Sequence, residues 1–131
     1  MVTKLVIDRA KAFLCWDKFP QLSIQLVALG DTVAYFYPPH NQRASIVLFY
    51  QKQEKDFYQP LFLLFHEVGH YLQYCEFKKR KNLRAYQRLV EAVEGDKKVA
   101  FEEEAWNLGQ DVLHDFLRKH FPQEKQLLQV N

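Results

Sequence analysis

The stretch from Leu61 to His70 constrains the fold of this chain more than any other part of the sequence. Its letters are Leu-Phe-Leu-Leu-Phe-His-Glu-Val-Gly-His, so five apolar residues lead directly into a pair of histidines. Asp56 is a suitable N-cap and Pro60 falls in a first turn, which together predict a helix from Tyr58 to Lys79. Because a helix that is apolar on every side must be buried on every side, we expect it to run through the centre of the domain.

The second half of this stretch has the pattern of a metal-binding helix. His66 and His70 are four residues apart, so their imidazoles lie one above the other on a single helix face, with Glu67 beside them. Neutral imidazole nitrogens suit zinc, and a catalytic zinc site needs three protein ligands. Glu67 is too close in sequence to His66 to share its direction. We therefore expect Glu67 to act as a general base beside the metal and not as a ligand.

The third zinc ligand has to come from another part of the chain. A histidine six residues after His70 would supply it, but that position is Glu76. The remaining source is the acidic run Glu102-Glu103-Glu104 in the last predicted helix. Helical steps from Glu102 fall on an apolar stripe, those from Glu103 on a mixed face, and those from Glu104 on a polar face with Asp111 and Asp115, which we expect to be exposed. Glu102 is the predicted ligand and Glu103 the alternative. The stripe consists of Ala105, Gly109, Val112 and Phe116, and its glycine would let the two helices approach closely.

The rest of the chain predicts an α+β fold. Three short segments rich in β-branched and aromatic residues precede the histidine helix, and the turns between them are too short for helical crossovers, which favours a small antiparallel sheet. Ser45–Tyr50 is the clearest strand and the expected edge for an extended ligand. Periodic apolar residues predict the flanking helices, and those of the N-terminal helix are Leu5, Ala12, Phe13, Trp16 and Phe19. The predicted strands are Leu22–Leu29, Thr32–Tyr37 and Ser45–Tyr50, and the flanking helices are Val2–Phe19, Leu83–Glu94 and Lys97–Phe121. Two alternatives stay open for the tail Gln123–Asn131, which either packs through Leu127, Leu128 and Val130 or frays.

Length and composition limit the class of protein. A chain of 131 residues that is 48% hydrophobic is long enough to bury one core and too short for two, so residues 1–131 are expected to form a single domain. A net charge of +2 gives no reason to expect nucleic-acid or membrane binding. Cys15 and Cys75 are expected to be reduced thiols. No segment has the apolar length of a signal peptide or a membrane span, so we expect a soluble, cytoplasmic protein.

The segment His66–Leu72 resembles the H-E-[LI]-G-H segment of ImmA/IrrE-type zinc metallopeptidases, which are gluzincin-like enzymes. The family's second motif is approximately E-x-x-A-N-x-F-A-x-x-L-L, and the chain follows it in register from Glu102, which the resemblance makes the zinc-binding glutamate. Trp106 stands where the family usually has Asn, and Gly109 where it has Ala. The residues in register are Glu102, Ala105, Leu108, Gly109, Val112 and Leu113.

The resemblance implies a minimal zincin-like domain with one Zn²⁺ per chain, held by His66, His70 and Glu102, and with Glu67 as the catalytic base. It implies an endopeptidase whose protein substrate is a phage-type or stress-type helix-turn-helix repressor. The alternative is a non-catalytic module, with or without zinc, that uses the same fold to dock a regulatory protein. The residue that stabilises the oxyanion stays open among Tyr35, Tyr37, His40, Tyr50 and Tyr86.

Overall fold

A long central helix lies between a three-stranded sheet and the last helix of residues 1–121. The computed structural model describes residues 1–121. Its elements in chain order are α1 (Lys4–Ala12), which continues into a π-helical segment (Phe13–Lys18), then β1 (Leu22–Ala28), β2 (Val33–Tyr37), β3 (Ala44–Tyr50), α2 (Tyr58–Lys79), α3 (Leu83–Glu91) and α4 (Asp96–His120). The α+β class and the bounds of the histidine helix are confirmed. The predicted packing of the tail 123–131 lies outside the described residues.

The start of α2 is fixed by Asp56, although the N-cap position is one residue later, at Phe57. Asp56 Oδ1 accepts hydrogen bonds from the backbone N–H of Tyr58, at 3.1 Å, and from that of Val2, at 3.0 Å. The carboxylate therefore satisfies a free donor at the helix terminus and holds the N-terminus of the chain against it. Burial on every side is only partly confirmed, because Leu61, Leu64 and Phe65 are buried, whereas Phe62 and Leu63 are only partly covered.

The sheet is mixed, and the prediction of an antiparallel sheet is wrong. The strand order is β1-β3-β2, with β3 antiparallel to β2 and parallel to β1. The prediction assumed that strands joined by short turns pair with each other. Instead β3 inserts between β1 and β2, which brings it parallel to the strand that precedes β2. This position suits the sequence of β3, whose buried residues alternate along the strand: Ala44, Ile46, Leu48 and Tyr50.

The central position of β3 also changes where an extended ligand can bind. Both edges of β3 are already hydrogen-bonded to neighbouring strands, so Ser45–Tyr50 is not the exposed edge that we predicted. The edges of the sheet are β1 and β2, and β2 is the one that contacts α2.

The N-terminal helix forms as predicted, but with a different buried face. Leu5 and Trp16 were expected to face the core, and both are exposed. The buried face instead consists of Ile7, Ala10, Phe13 and Leu14.

No helix in residues 1–121 is long and apolar enough to cross a membrane.

The backbones of α2 and α4 touch at two glycines. A Cβ atom added to Gly109 would lie less than 3.0 Å from the carbonyl oxygen of Phe65, and one added to Gly69 less than 3.0 Å from that of Ala105. The predicted close approach at Gly109 is confirmed, and Gly69 provides a second contact on the partner helix. Real Cβ atoms do not approach a carbonyl so closely, so any larger residue must separate the helices.

The phase predicted for α4 is largely correct. Ala105, Gly109, Val112 and Phe116 are buried, and Glu104 and Asp111 are exposed. Asp115 was expected to be exposed but is partly covered, because Lys18 of the N-terminal segment lies 3.3 Å from its carboxylate.

The glycine contacts lead to a prediction about stability. Gly109→Ala and Gly69→Ala should each lower the free energy of unfolding by at least the ~1–3 kcal/mol typical of overpacked cores, because the new methyl meets backbone that cannot rotate away. Urea denaturation would measure the loss. Gln110→Ala, on the exposed side of the same helix, is the matched control and should stay within ~0.5 kcal/mol of the wild type. Wild-type stability in both glycine variants would contradict the contact.

Candidate metal centre

The two histidines of α2 form one wall of the site. Their ring centroids are 4.7 Å apart, as expected for residues one helical turn apart on the same face. Both side chains are largely enclosed, with His66 13% exposed and His70 12% exposed. The apolar turns on either side anchor this part of α2 in the core, which leaves the two imidazoles little freedom to move.

Glu102 reaches the histidines from α4. Its Oε1 lies 3.3 Å from Nε2 of His66 and 3.2 Å from Nε2 of His70. One ligand atom from each of these three residues falls within 4.8 Å of the other two, so the three form a group that could hold a metal ion. Glu103, the alternative ligand, is exposed and takes no part in the group. Helical phase therefore selected the glutamate that the structure places beside the histidines.

The donor atoms of this group fit a divalent metal. Nε2 of His66 is buried and has no hydrogen-bond partner within the described residues, an arrangement that is costly unless something else binds the nitrogen. Burial, together with the neighbouring His70, lowers the pKa of His66 to about 4, so this imidazole is neutral near pH 7 and its lone pair is free. Two imidazoles and one carboxylate are a ligand set that catalytic zinc sites use.

Glu67 lies next to the group without belonging to it. Its side chain is buried, and its Oε2 is 3.3 Å from Nδ1 of His66, on the side of the ring away from Glu102. Burial raises the pKa of Glu67 to about 8, the negative charge of Glu102 adds to the rise, and a hydrogen bond from the backbone of Phe36 opposes it. A carboxyl group that changes protonation close to neutral pH is suited to proton transfer.

A small cavity of about 180 Å³ opens beside Glu67, His70 and Glu102. Two of the five oxyanion candidates, Tyr35 and Tyr86, are among its lining residues. Tyr86 is buried, and the desolvation of its phenol raises its pKa, so its hydroxyl stays protonated and able to donate. The remaining lining residues are the apolar Phe36, Val90 and Phe101, together with Lys98.

Three residues at the site were not found by sequence reasoning. Gln73 accepts a hydrogen bond from His70 Nδ1 at 2.8 Å, and Lys98 Nζ lies 3.7 Å from Glu102 Oε2. The indole of Trp106 stacks on the ring of His66, with centroids 4.1 Å apart and planes 3° from parallel. Each of the three lies at helical spacing from a predicted ligand, and this spacing is the signal that could have found them. Gln73 is three residues after His70, and both Lys98 and Trp106 are four residues from Glu102.

No protein-family model matches the sequence, and no match was found among curated proteins or solved structures. The resemblance to ImmA/IrrE-type enzymes therefore stays a prediction from two short motifs. A functional assignment depends on the geometry of the site.

The raised pKa of Glu67 predicts how the metal-free protein responds to pH. Its carboxyl holds a proton to about pH 8 when folded, against a reference pKa of 4.5 when unfolded, so its contribution to stability is lost as pH rises between these values. Glu67→Gln removes this titration. Since one pKa unit corresponds to about 1.4 kcal/mol, the metal-free variant should gain roughly 1–4 kcal/mol over the wild type between pH 5 and pH 9.

Urea denaturation of chelator-treated wild type and Glu67→Gln at several pH values would measure this gain. Glu103→Gln removes an exposed carboxylate from the neighbouring helix and should follow the wild type at every pH. A constant difference between wild type and Glu67→Gln over this range would show that the carboxyl is not desolvated.

Proposed function

We propose that the protein is a zinc-dependent endopeptidase of the ImmA/IrrE type. The observation that carries the proposal is the convergence of His66, His70 and Glu102, with the carboxyl group of Glu67 adjacent to them and outside the ligand group. A structural histidine pair would need neither a third ligand from a distant helix nor a buried acid beside it. Peptide hydrolysis needs both.

In this proposal each residue has one task. His66, His70 and Glu102 would hold the zinc ion, whose Lewis acidity would lower the pKa of water and polarise the carbonyl of the substrate. Glu67 takes the proton from the attacking water and delivers it to the leaving amine. Tyr35 and Tyr86, which line the cavity, are the candidates for hydrogen bonding to the oxyanion through their phenol hydroxyls.

The edge strand β2 is the binding surface that we propose for the substrate. Within residues 1–121, β2 pairs only with β3, so its other edge offers unpaired backbone groups. Phe36 of this strand lines the cavity and its backbone bonds to Glu67, so a peptide added along β2 would pass the ligand group. The resemblance nominates a helix-turn-helix repressor as the protein that supplies this peptide.

One observation favours the alternative of a non-catalytic docking module. The ammonium of Lys98 lies 3.7 Å from Glu102 and donates hydrogen bonds to the backbone oxygens of Leu89, at 2.9 Å, and Val90, at 3.3 Å. A cation held so close to a ligand carboxylate competes with a metal ion for its charge. Zinc binding and cleavage therefore have to be measured separately.

Zinc content is the first measurement. His66→Ala, His70→Ala and Glu102→Ala should each reduce a stoichiometry near one zinc per chain to a small fraction, because each removes one of three ligands. Elemental analysis after dialysis against zinc and then buffer would show this. Glu103→Ala is the matched control, one residue from the ligand and exposed, and it should keep full zinc. Zinc loss in Glu103→Ala with retention in Glu102→Ala would reverse the assignment.

Cleavage is the second measurement. Glu67→Gln should bind zinc as the wild type does but lose activity by roughly a hundred- to ten-thousand-fold, because the amide cannot accept a proton from water. The zinc-loaded wild type and Glu67→Gln would each be incubated with lysate of the source cell, and new protein N-termini would be identified by labelling and mass spectrometry. Chelator-treated wild type is the second control. The same set of N-termini in all three samples would reject the peptidase.

A further inference from the structure

Gln73 is a buried polar residue of α2 that the proposed chemistry does not use. Gln73 is only 2% exposed, and its side chain reaches from α2 to the backbone of α4. We propose that Gln73 is a positioning residue for the metal site: it holds the proton of His70 on Nδ1 and so directs the Nε2 lone pair of His70 toward Glu102. This inference rests on the proposed metal binding by His66, His70 and Glu102.

The orientation of the Gln73 amide follows from its three partners. Nε2 of Gln73 lies 2.8 Å from the backbone oxygen of Phe101 and 2.8 Å from Oε1 of Glu104. A carbonyl and a carboxylate oxygen only accept hydrogen bonds, so the amide group that faces them has to be the NH₂ group. Both donors of the amide are thereby used on α4, and its oxygen is left facing His70.

The amide orientation decides the tautomer of His70. Oε1 of Gln73 can only accept, and it lies 2.8 Å from Nδ1 of His70, so the imidazole carries its proton on Nδ1. In neutral His70 the other nitrogen, Nε2, then has a free lone pair. The carboxylate oxygen of Glu102 is 3.2 Å from this Nε2. Two acceptor atoms that face each other at this distance are arranged to share a cation.

Without Gln73, the imidazole of His70 and the carboxylate of Glu102 could form a direct hydrogen bond. His70 could carry its proton on Nε2 and donate it to Glu102, which would close a hydrogen bond at 3.2 Å between two of the three ligands. A metal ion would have to break that bond and move the proton before it could bind. Partners that hold a ligand imidazole in the right tautomer typically change metal affinity by 10- to 100-fold.

Nδ1 of His66 also faces an oxygen, since Glu67 Oε2 lies 3.3 Å from it, whereas Nδ1 of His70 faces the neutral amide of Gln73. Because Gln73 bears no charge, it can lie beside Glu104 without adding another carboxylate to a site that already contains Glu67 and Glu102. A glutamine serves here where an acidic residue would meet like charge.

The test has to separate this role from the link that Gln73 makes between α2 and α4. Two variants share the substitution Glu104→Gln, which removes the neighbouring charge. Gln73→Glu/Glu104→Gln keeps an acceptor facing His70, and Gln73→Leu/Glu104→Gln does not, while both lose the amide donors to α4. Zinc affinity would be measured by competition with a chromophoric chelator, and the tautomer of His70 from ¹⁵N shifts of the metal-free protein.

We expect the glutamate variant to bind zinc within about threefold of the wild type and to keep the His70 proton on Nδ1. The leucine variant should bind zinc 10- to 100-fold more weakly and move the proton toward Nε2. Equal zinc affinities and equal tautomers in the two variants would overturn the proposal and leave Gln73 with a packing role only. Val112→Ala, a buried truncation on α4 away from the site, controls for general destabilisation and should keep wild-type affinity.

Two further provisions keep the outcomes distinct. Gln73→Met, which preserves side-chain length and has no oxygen acceptor, replaces leucine if that variant does not fold. If the wild type itself binds no zinc, the proposed function fails. The ¹⁵N shifts of metal-free wild type and of both Gln73 variants then decide the role of Gln73 alone, and an Nε2 proton on wild-type His70 would overturn it.

Discussion

The backbone contact between α2 and α4 is the constraint on which the site depends. Gly69 and Gly109 remove two side chains from the interface, and the helices approach until the backbone of one meets that of the other. Only at this separation can the short side chain of Glu102 bring an oxygen to 3.2 Å from His70. A larger residue at either glycine would draw the carboxylate away from both histidines, so the same contact determines both the packing of the core and the geometry of the ligands.

This close packing also buries an ionisable carboxyl group. Glu67 is buried beside Glu102, and the lack of solvent together with the neighbouring charge keeps its carboxyl protonated to about pH 8 in the absence of metal. Such a group destabilises the folded state once it ionises, a common feature of sites whose residues are selected for chemistry and not for stability. The apolar residues that enclose α2 supply the burial that offsets this cost.

The side chains that contact the three ligand residues could not be predicted from the sequence motifs. Gln73 and Lys98 contact the ligands through the polar groups at the ends of their side chains. Many side chains at helical spacing from a ligand make no such contact. Which ones do depends on how the neighbouring helix is rotated and how close it lies. Trp106 was noted only as a departure from the second motif, and its stacking on His66 follows from the separation of α2 and α4.

The sequence by itself determined the helices, the face of α2 that carries His66 and His70, and the choice of Glu102 over Glu103. All of these follow from the 3.6-residue period, which relates residues along a single helix. Only the tertiary structure decided the position of β3 between β1 and β2, the edge that β2 offers, and the buried face of the N-terminal helix. Those features depend on which apolar surfaces pack together across long separations in the chain, and strand alternation is the same whether a strand lies at an edge or in the centre.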